Sequence, residues 1–99
     1  MGYIEVTSTE VRQRASALQE LNGQFRNRAT ELETKEQSLC GMWEGEAKTV
    51  FHREFMKDRQ QMNAFSQLIE QYVQVMMDIA AKYEEAERRA SELASSRRY

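Results

Sequence analysis

The chain has no proline, and it holds one cysteine, one histidine and one tryptophan in 99 residues. Proline removes a backbone donor and clashes with the preceding turn, so its absence points to long helices with few turns. A single cysteine cannot form an internal disulfide, which excludes a disulfide-stapled scaffold. No stretch is long and apolar enough to span a bilayer. Charge of one sign is also missing: fourteen Lys and Arg against sixteen Asp and Glu leave a net charge of −2. General nucleic-acid binding needs a basic surface, so no nucleic-acid partner is expected. With 30% charged and 40% hydrophobic residues, the chain is too apolar for a solvating tail and too charged for a membrane protein. Its length fits one domain, read over residues 1–99.

The N-terminal segment Met1-Gly2-Tyr3-Ile4-Glu5-Val6 lacks a charged n-region and an apolar h-region, which predicts no cleaved secretory leader. Met1-Gly2 opens like a myristoylation site, but Val6 stands where Ser or Thr is needed. These features predict a cytoplasmic protein or one exported without a cleaved leader.

A first helix is predicted over about residues 7–40. Thr7-Ser8-Thr9-Glu10 reads as a capping box, with Val6 and Val11 at the staple positions. The stripe that follows is Val11, Ala15, Leu18, Asn22, Phe25, Ala29, Leu32, Glu36 and Leu39, with steps of four and three. That period suits packing in a left-handed bundle, with Asn22 and Glu36 as polar interruptions. Gly41 and Gly45 punctuate a turn at 41–45: Gly41 reads as a left-handed C-cap and Gly45 as the start of the next helix. Glu44 and Glu46 suit the positive end of that helix dipole.

A second helix is predicted over about residues 46–93. Its stripe is Phe51, Phe55, Asp58, Met62, Phe65, Ile69, Tyr72, Met76, Ile79, Tyr83, Ala86, Ala90 and Leu93. A second set, Val50, Ala64, Leu68, Val73, Val75 and Ala80, widens the apolar face beyond a two-stranded seam. Pairs such as Glu31–Lys35, Glu84–Arg88 and Glu85–Arg89 have helix-compatible spacing. The terminal Ser95-Ser96-Arg97-Arg98-Tyr99 reads as frayed.

The expected fold is all-α: an antiparallel helical hairpin in which about 12 residues, or about 18 Å, of the second helix overhang the first. Two helices leave one side of a wide stripe in water, so a second hairpin is expected to close it into a two-fold four-helix dimer. The expected dimer core is Phe51, Phe55, Met62, Phe65, Ile69, Tyr72, Met76 and Ile79.

No catalytic constellation is legible, and no cofactor or metal site is expected. His52 has Thr49, not Glu, three residues before it, and reads as a solvent-side helix residue. No phosphate loop, zincin motif or nucleophile elbow is present. Cys40 reads either as a small space-filler, the favoured view, or as a thiol whose pKa the nearby helix N-terminus lowers. Met62 and Met76 fit the core, while Met56 and Met77 have no assigned role. Trp43 reads as a plug between the helices or as an exposed anchor for a partner, and one edge can serve each purpose.

Trp43-Glu44-Gly45 is a W-x-G at the central turn of a proline-free chain of this length, and Tyr83-Glu84-Glu85-Ala86-Glu87 fits Y-x-x-x-D/E. In both features the chain resembles the WXG family of early-secreted-antigen-like substrates of type VII secretion in Gram-positive and mycobacterial cells. The resemblance covers nearly the whole chain. It implies a hairpin dimer, either a homodimer or a heterodimer with a related WXG protein, exported without a cleaved leader after a cytoplasmic stage. It also implies that Trp43 and Gly45 form the turn motif. Tyr83 and Glu87 would be the export signal, read by the membrane ATPase of the secretion machine. Four residues apart, Tyr83 and Glu87 share one helix face, on the expected overhang, where the turn of a partner hairpin can meet them. Tyr83 is also a stripe position and can serve as a core residue. A cytosolic adaptor or chaperone-like bundle is the alternative reading. A membrane-active toxin would rest only on amphipathic faces that any bundle has.

Overall fold

Helix α1 spans Ser8–Gly41 and helix α2 spans Glu46–Ser96 in the computed structural model, which describes residues 7–96. Thr7 starts α1: its backbone is extended and its hydroxyl accepts from the Glu10 N–H at 3.1 Å. The staple residue Val6 and the terminal 97–99 lie outside the described residues. Ser95 and Ser96 are helical, contrary to the expected fraying, and the Ser96 hydroxyl donates to the Leu93 carbonyl at 2.9 Å.

The turn also departs from expectation. Helix α1 runs through Gly41 and is capped by Met42 in right-handed conformation (φ −101°, ψ 0°). Among the described residues Gly45 alone has a positive φ, 100°. The reversal into α2 is made there, where a side chain would be strained, and not at the end of α1.

Cross-hairpin contacts fix the antiparallel order. Arg12 meets Glu84, Asn22 meets Ser66, Arg26 meets Glu70, Glu33 meets Arg59 and Glu36 meets His52. Two of the expected charge pairs are exchanged for others. Glu84 goes to Arg12 and not Arg88, and Glu31 goes to Arg28 and not Lys35. Glu85 accepts from both Arg89, as expected, and Arg88.

The seam between the helices is small and polar. Its buried residues on α1 are Ser8, Ala15, Asn22, Ala29, Glu36 and Cys40, and on α2 they are Ser66, Val73 and Ala80. Apart from Cys40, each set recurs every seven residues, so each forms one line along its helix. Ala15 and Ala80 are fully buried, and such small side chains let the helix backbones approach closely. Asn22 and Glu36 were expected as interruptions of an apolar stripe, yet they are among the most buried side chains. A narrow seam excludes large apolar groups and keeps polar ones whose hydrogen bonds are met inside it. No buried side-chain nitrogen or oxygen among the described residues lacks a partner.

Candidate functional site

With the seam filled by small residues, the large apolar side chains fall on a second line, three residues further along each helix. On α1 this line is Val11, Leu18, Phe25, Leu32 and Leu39; on α2 it is Phe55, Met62, Ile69, Met76 and Tyr83, flanked by Phe51, Phe65, Tyr72 and Ile79. A shift of three residues turns to the same side of both antiparallel helices, so the two lines form one face. Phe25 and Phe65 meet edge to face across it, with ring centroids 5.6 Å apart. None of the eight expected dimer-core residues is buried within the hairpin. Phe65 is 53% exposed and Tyr72 54%, and no large side chain is fully buried among the described residues. Near the turn the face dips into a groove lined by Leu32, Leu39, Phe51, Phe55 and Met62. Such an arrangement can receive a second amphipathic helical surface. No described helix is long and apolar enough to cross a membrane.

At the turn, the Trp43 ring packs against Phe51 with centroids 5.7 Å apart and stays 37% exposed. Its backbone N–H donates to the Cys40 carbonyl at 3.3 Å. Trp43 therefore has one side on the hairpin and another in solvent, and Gly45 supplies the left-handed bend beside it.

Behind the turn the structure joins three side chains that the sequence did not link. The Glu36 carboxylate is 4% exposed, and the Cys40 thiol, also buried, donates to it at 3.0 Å. His52 Nδ1 lies 2.9 Å from both Glu36 oxygens. His52 is thus engaged across the hairpin, although its side chain remains half exposed. The His52 and Cys40 hydrogen bonds hold the Glu36 carboxyl below its ordinary range. The hydrogen bond to Glu36, with burial, pushes the Cys40 thiol up. The possible lowering of the thiol by a helix N-terminus is therefore overturned by a nearer carboxylate. The signal was present in the sequence, since Glu36 and Cys40 are four residues apart, but their partner's position is a tertiary fact.

At the far end, Arg12 Nε and Nη2 donate to the two Glu84 oxygens at 2.8 and 2.7 Å. This pair holds the Glu84 carboxyl below its ordinary range and raises the Arg12 guanidinium. Arg12 Nη1 also donates to the Met77 sulfur at 3.6 Å, which places that methionine beside the seam. Because Glu84 meets the second turn of α1, Tyr83 lies alongside α1 and not on the overhang as expected. Tyr83 is exposed on the apolar face. Glu87 continues the seam line one heptad past Ala80 and is exposed, and it makes no ion pair among the described residues. Arg88 and Arg89 are engaged by Glu85, and Arg88 also by Glu92.

This geometry has counterparts among solved proteins. Secreted protein EsxB of Bacillus anthracis is 25% identical, with 88% of this chain and 99% of that one covered and a TM-score of 0.78. A second, wild-type EsxB structure is 26% identical, with 85% and 97% covered and a TM-score of 0.76. EsxA of Geobacillus thermodenitrificans shares the fold at 20% identity, with 91% and 97% covered and a TM-score of 0.76. No curated protein matches the sequence. The family model WXG100, described as proteins of 100 residues with WXG, matches residues 3–88. With Trp43-Glu44-Gly45 at the turn of a two-helix hairpin and the family model matched over nearly its whole length, the chain belongs to the WXG100 family.

Proposed function

We propose that the protein is a non-enzymatic substrate of a type VII secretion system. It leaves a cytoplasmic pool without a cleaved leader, as a homodimer or paired with a related WXG protein, and can carry a partner out with it. The observation that supports this most is the W-x-G at the turn of a hairpin matched by the WXG100 model over residues 3–88. A similar solved protein, EsxB, is described as secreted.

The exposed apolar face supports the dimer. A second hairpin laid antiparallel on it would bury Phe51, Phe55, Met62, Phe65, Ile69, Tyr72, Met76 and Ile79 in a four-helix bundle. In that arrangement one protomer's Trp43 and Gly45 approach the partner's Tyr83 and Glu87. The composite surface is the recognition element for the membrane ATPase of the secretion machine. Glu87 suits the receptor contact because an exposed carboxylate offers a strong, charge-assisted acceptor.

The test is secretion from a host with a type VII system, scored in medium free of a cytosolic marker. The unaltered protein is expected in the medium, and Glu87→Ala is expected to stay in the cells as a folded dimer. Retention of the unaltered protein overturns the export reading, and full secretion of Glu87→Ala overturns the assigned signal.

A further inference from the structure

The Glu36–Cys40–His52 cluster at the turn end of the hairpin carries an inference separate from export. One nitrogen, one sulfur and one oxygen donor lie within 4.8 Å of one another there. Two come from adjacent turns of α1 and the third comes from α2, so the group spans the hairpin just behind Trp43. Elsewhere the α1 seam line holds Ser8, Ala15, Asn22 and Ala29, none of them ionisable.

Three physical observations converge. The first is charge. The Glu36 carboxylate is buried, and the cation facing it, His52, carries charge only when protonated. The hydrogen bond to Glu36, with burial, holds the Cys40 thiol protonated while no cation is bound. A dication against one carboxylate and one thiolate would make the cluster neutral, which is how buried charge is stabilised. The second is distance. Zinc bonds of about 2.0–2.3 Å in tetrahedral geometry set the donors about 3.3–3.8 Å apart. The thiol–carboxylate and imidazole–carboxylate separations are 3.0 and 2.9 Å. With no two of the three donors more than 4.8 Å apart, side-chain shifts of about 1 Å bring them to coordination distance. The third is access. Glu36 and Cys40 are buried while His52 is exposed, so an ion enters past the imidazole and the fourth position faces water.

We propose that Glu36, Cys40 and His52 bind one zinc ion per chain, clipping the end of α1 to the start of α2. A thiolate and an imidazole beside a carboxylate select zinc over magnesium or calcium, which prefer all-oxygen shells. On binding, the Cys40 thiol releases its proton to solvent, and His52 shifts to the tautomer protonated at Nε2 so that the Nδ1 lone pair is free for the metal. The Glu36 carboxylate exchanges its hydrogen bonds from Cys40 and His52 for the ion. The ion thus fixes the segment that presents Trp43, and affinity falls as protons compete at low pH.

The test uses the untagged full chain and cobalt(II) as a spectroscopic stand-in for zinc. Titration is expected to give a thiolate-to-cobalt charge-transfer band and the strong visible bands of tetrahedral cobalt, saturating at one equivalent per chain. Zinc should displace the cobalt and raise the melting temperature. Cys40→Ser should abolish the charge-transfer band, and His52→Gln should weaken binding by at least about tenfold. Circular dichroism checks that each variant is helical, and either variant alone is sufficient because each removes a different donor. Absence of the band in the folded unaltered chain overturns the proposal. So does unchanged affinity in His52→Gln, or saturation at half an equivalent, which would mean thiols of two chains sharing one ion.

Discussion

Asn22 and Ser66 hold each other across the middle of the hairpin. The Asn22 amide donates to the Ser66 carbonyl at 3.1 Å while the Ser66 hydroxyl donates to Asn22 Oδ1 at 2.8 Å. Arg26 Nε completes the set by donating to the same hydroxyl oxygen at 2.6 Å. The pair is buried, so each half satisfies a group that water cannot reach. It also fixes the register, because a slip of one residue would leave both unsatisfied.

Removing one half of this pair should therefore cost more than removing both. Asn22→Ala is expected to destabilise the protein by about 1–3 kcal/mol, the range for stranding a buried polar group. Adding Ser66→Ala should cost less than the sum of the two single changes. Urea unfolding of the four proteins in a double-mutant cycle measures the coupling, and strict additivity would contradict the reciprocal bond.

Gly23 is interior to α1, and a Cβ built there meets nothing within 4 Å. It lies on the opposite side of α1 from the apolar face. Gly23→Ala is expected to stabilise the protein by about 0.5–1 kcal/mol, through helix propensity and unfolded-state entropy. The urea midpoint should rise with no change in association state.

Acid should weaken the hairpin through two named carboxylates. Glu36 and Glu84 both have folded-state pKa values below the ordinary range, held there by His52 and Cys40 and by Arg12. A depressed carboxyl contributes stability that is present above its unfolded pKa, about 4.3, and lost as pH falls through the lower folded value. Unfolding midpoints are expected to fall through this acid window. The fall should be shallower in a Glu36→Gln, Glu84→Gln double variant. An identical acid slope in that variant would place the effect elsewhere.

Trp43 contacts Phe51 but keeps 37% of its surface exposed. Trp43→Ala should therefore cost well below the ~3–5 kcal/mol of a fully buried aromatic. Its export defect should exceed the loss of folded protein. Thermal melts and quantified secretion of the same variant check this. A full-sized melting loss with export in proportion to the folded fraction would make Trp43 only a plug.

The fold was legible because its strongest signals are local and periodic: Thr7 with Glu10, the four-and-three stripe, and glycines at the turn. What the stripe did not separate was seam from outer face. Both repeat every seven residues, and a reading by hydrophobicity gives the interior to the larger residues. In the structure Ala15, Asn22, Ala29 and Glu36 take the interior because closely packed helices admit only small or mutually bonded groups. Phe65, Tyr72 and Ile79 are left outside. The Arg12–Glu84 pair and the His52–Glu36–Cys40 cluster were not legible for a different reason. Arg12 and Glu84 are distant in sequence, and His52 comes from the other helix to the neighbouring Glu36 and Cys40, so both meetings depend on the register of the hairpin.

A second copy of the chain is expected to cover the exposed Phe65–Tyr72 face of the hairpin. Sedimentation equilibrium of the protein expressed alone, beside Phe65→Glu, tests it most directly. The unaltered chain is expected at twice its 11.6 kDa mass. Phe65→Glu should sediment as a single chain or lose helicity, since an unpaired charge in the bundle core costs about 3–5 kcal/mol. A fully helical 11.6 kDa monomer of the unaltered chain at micromolar concentration would contradict a self-paired bundle.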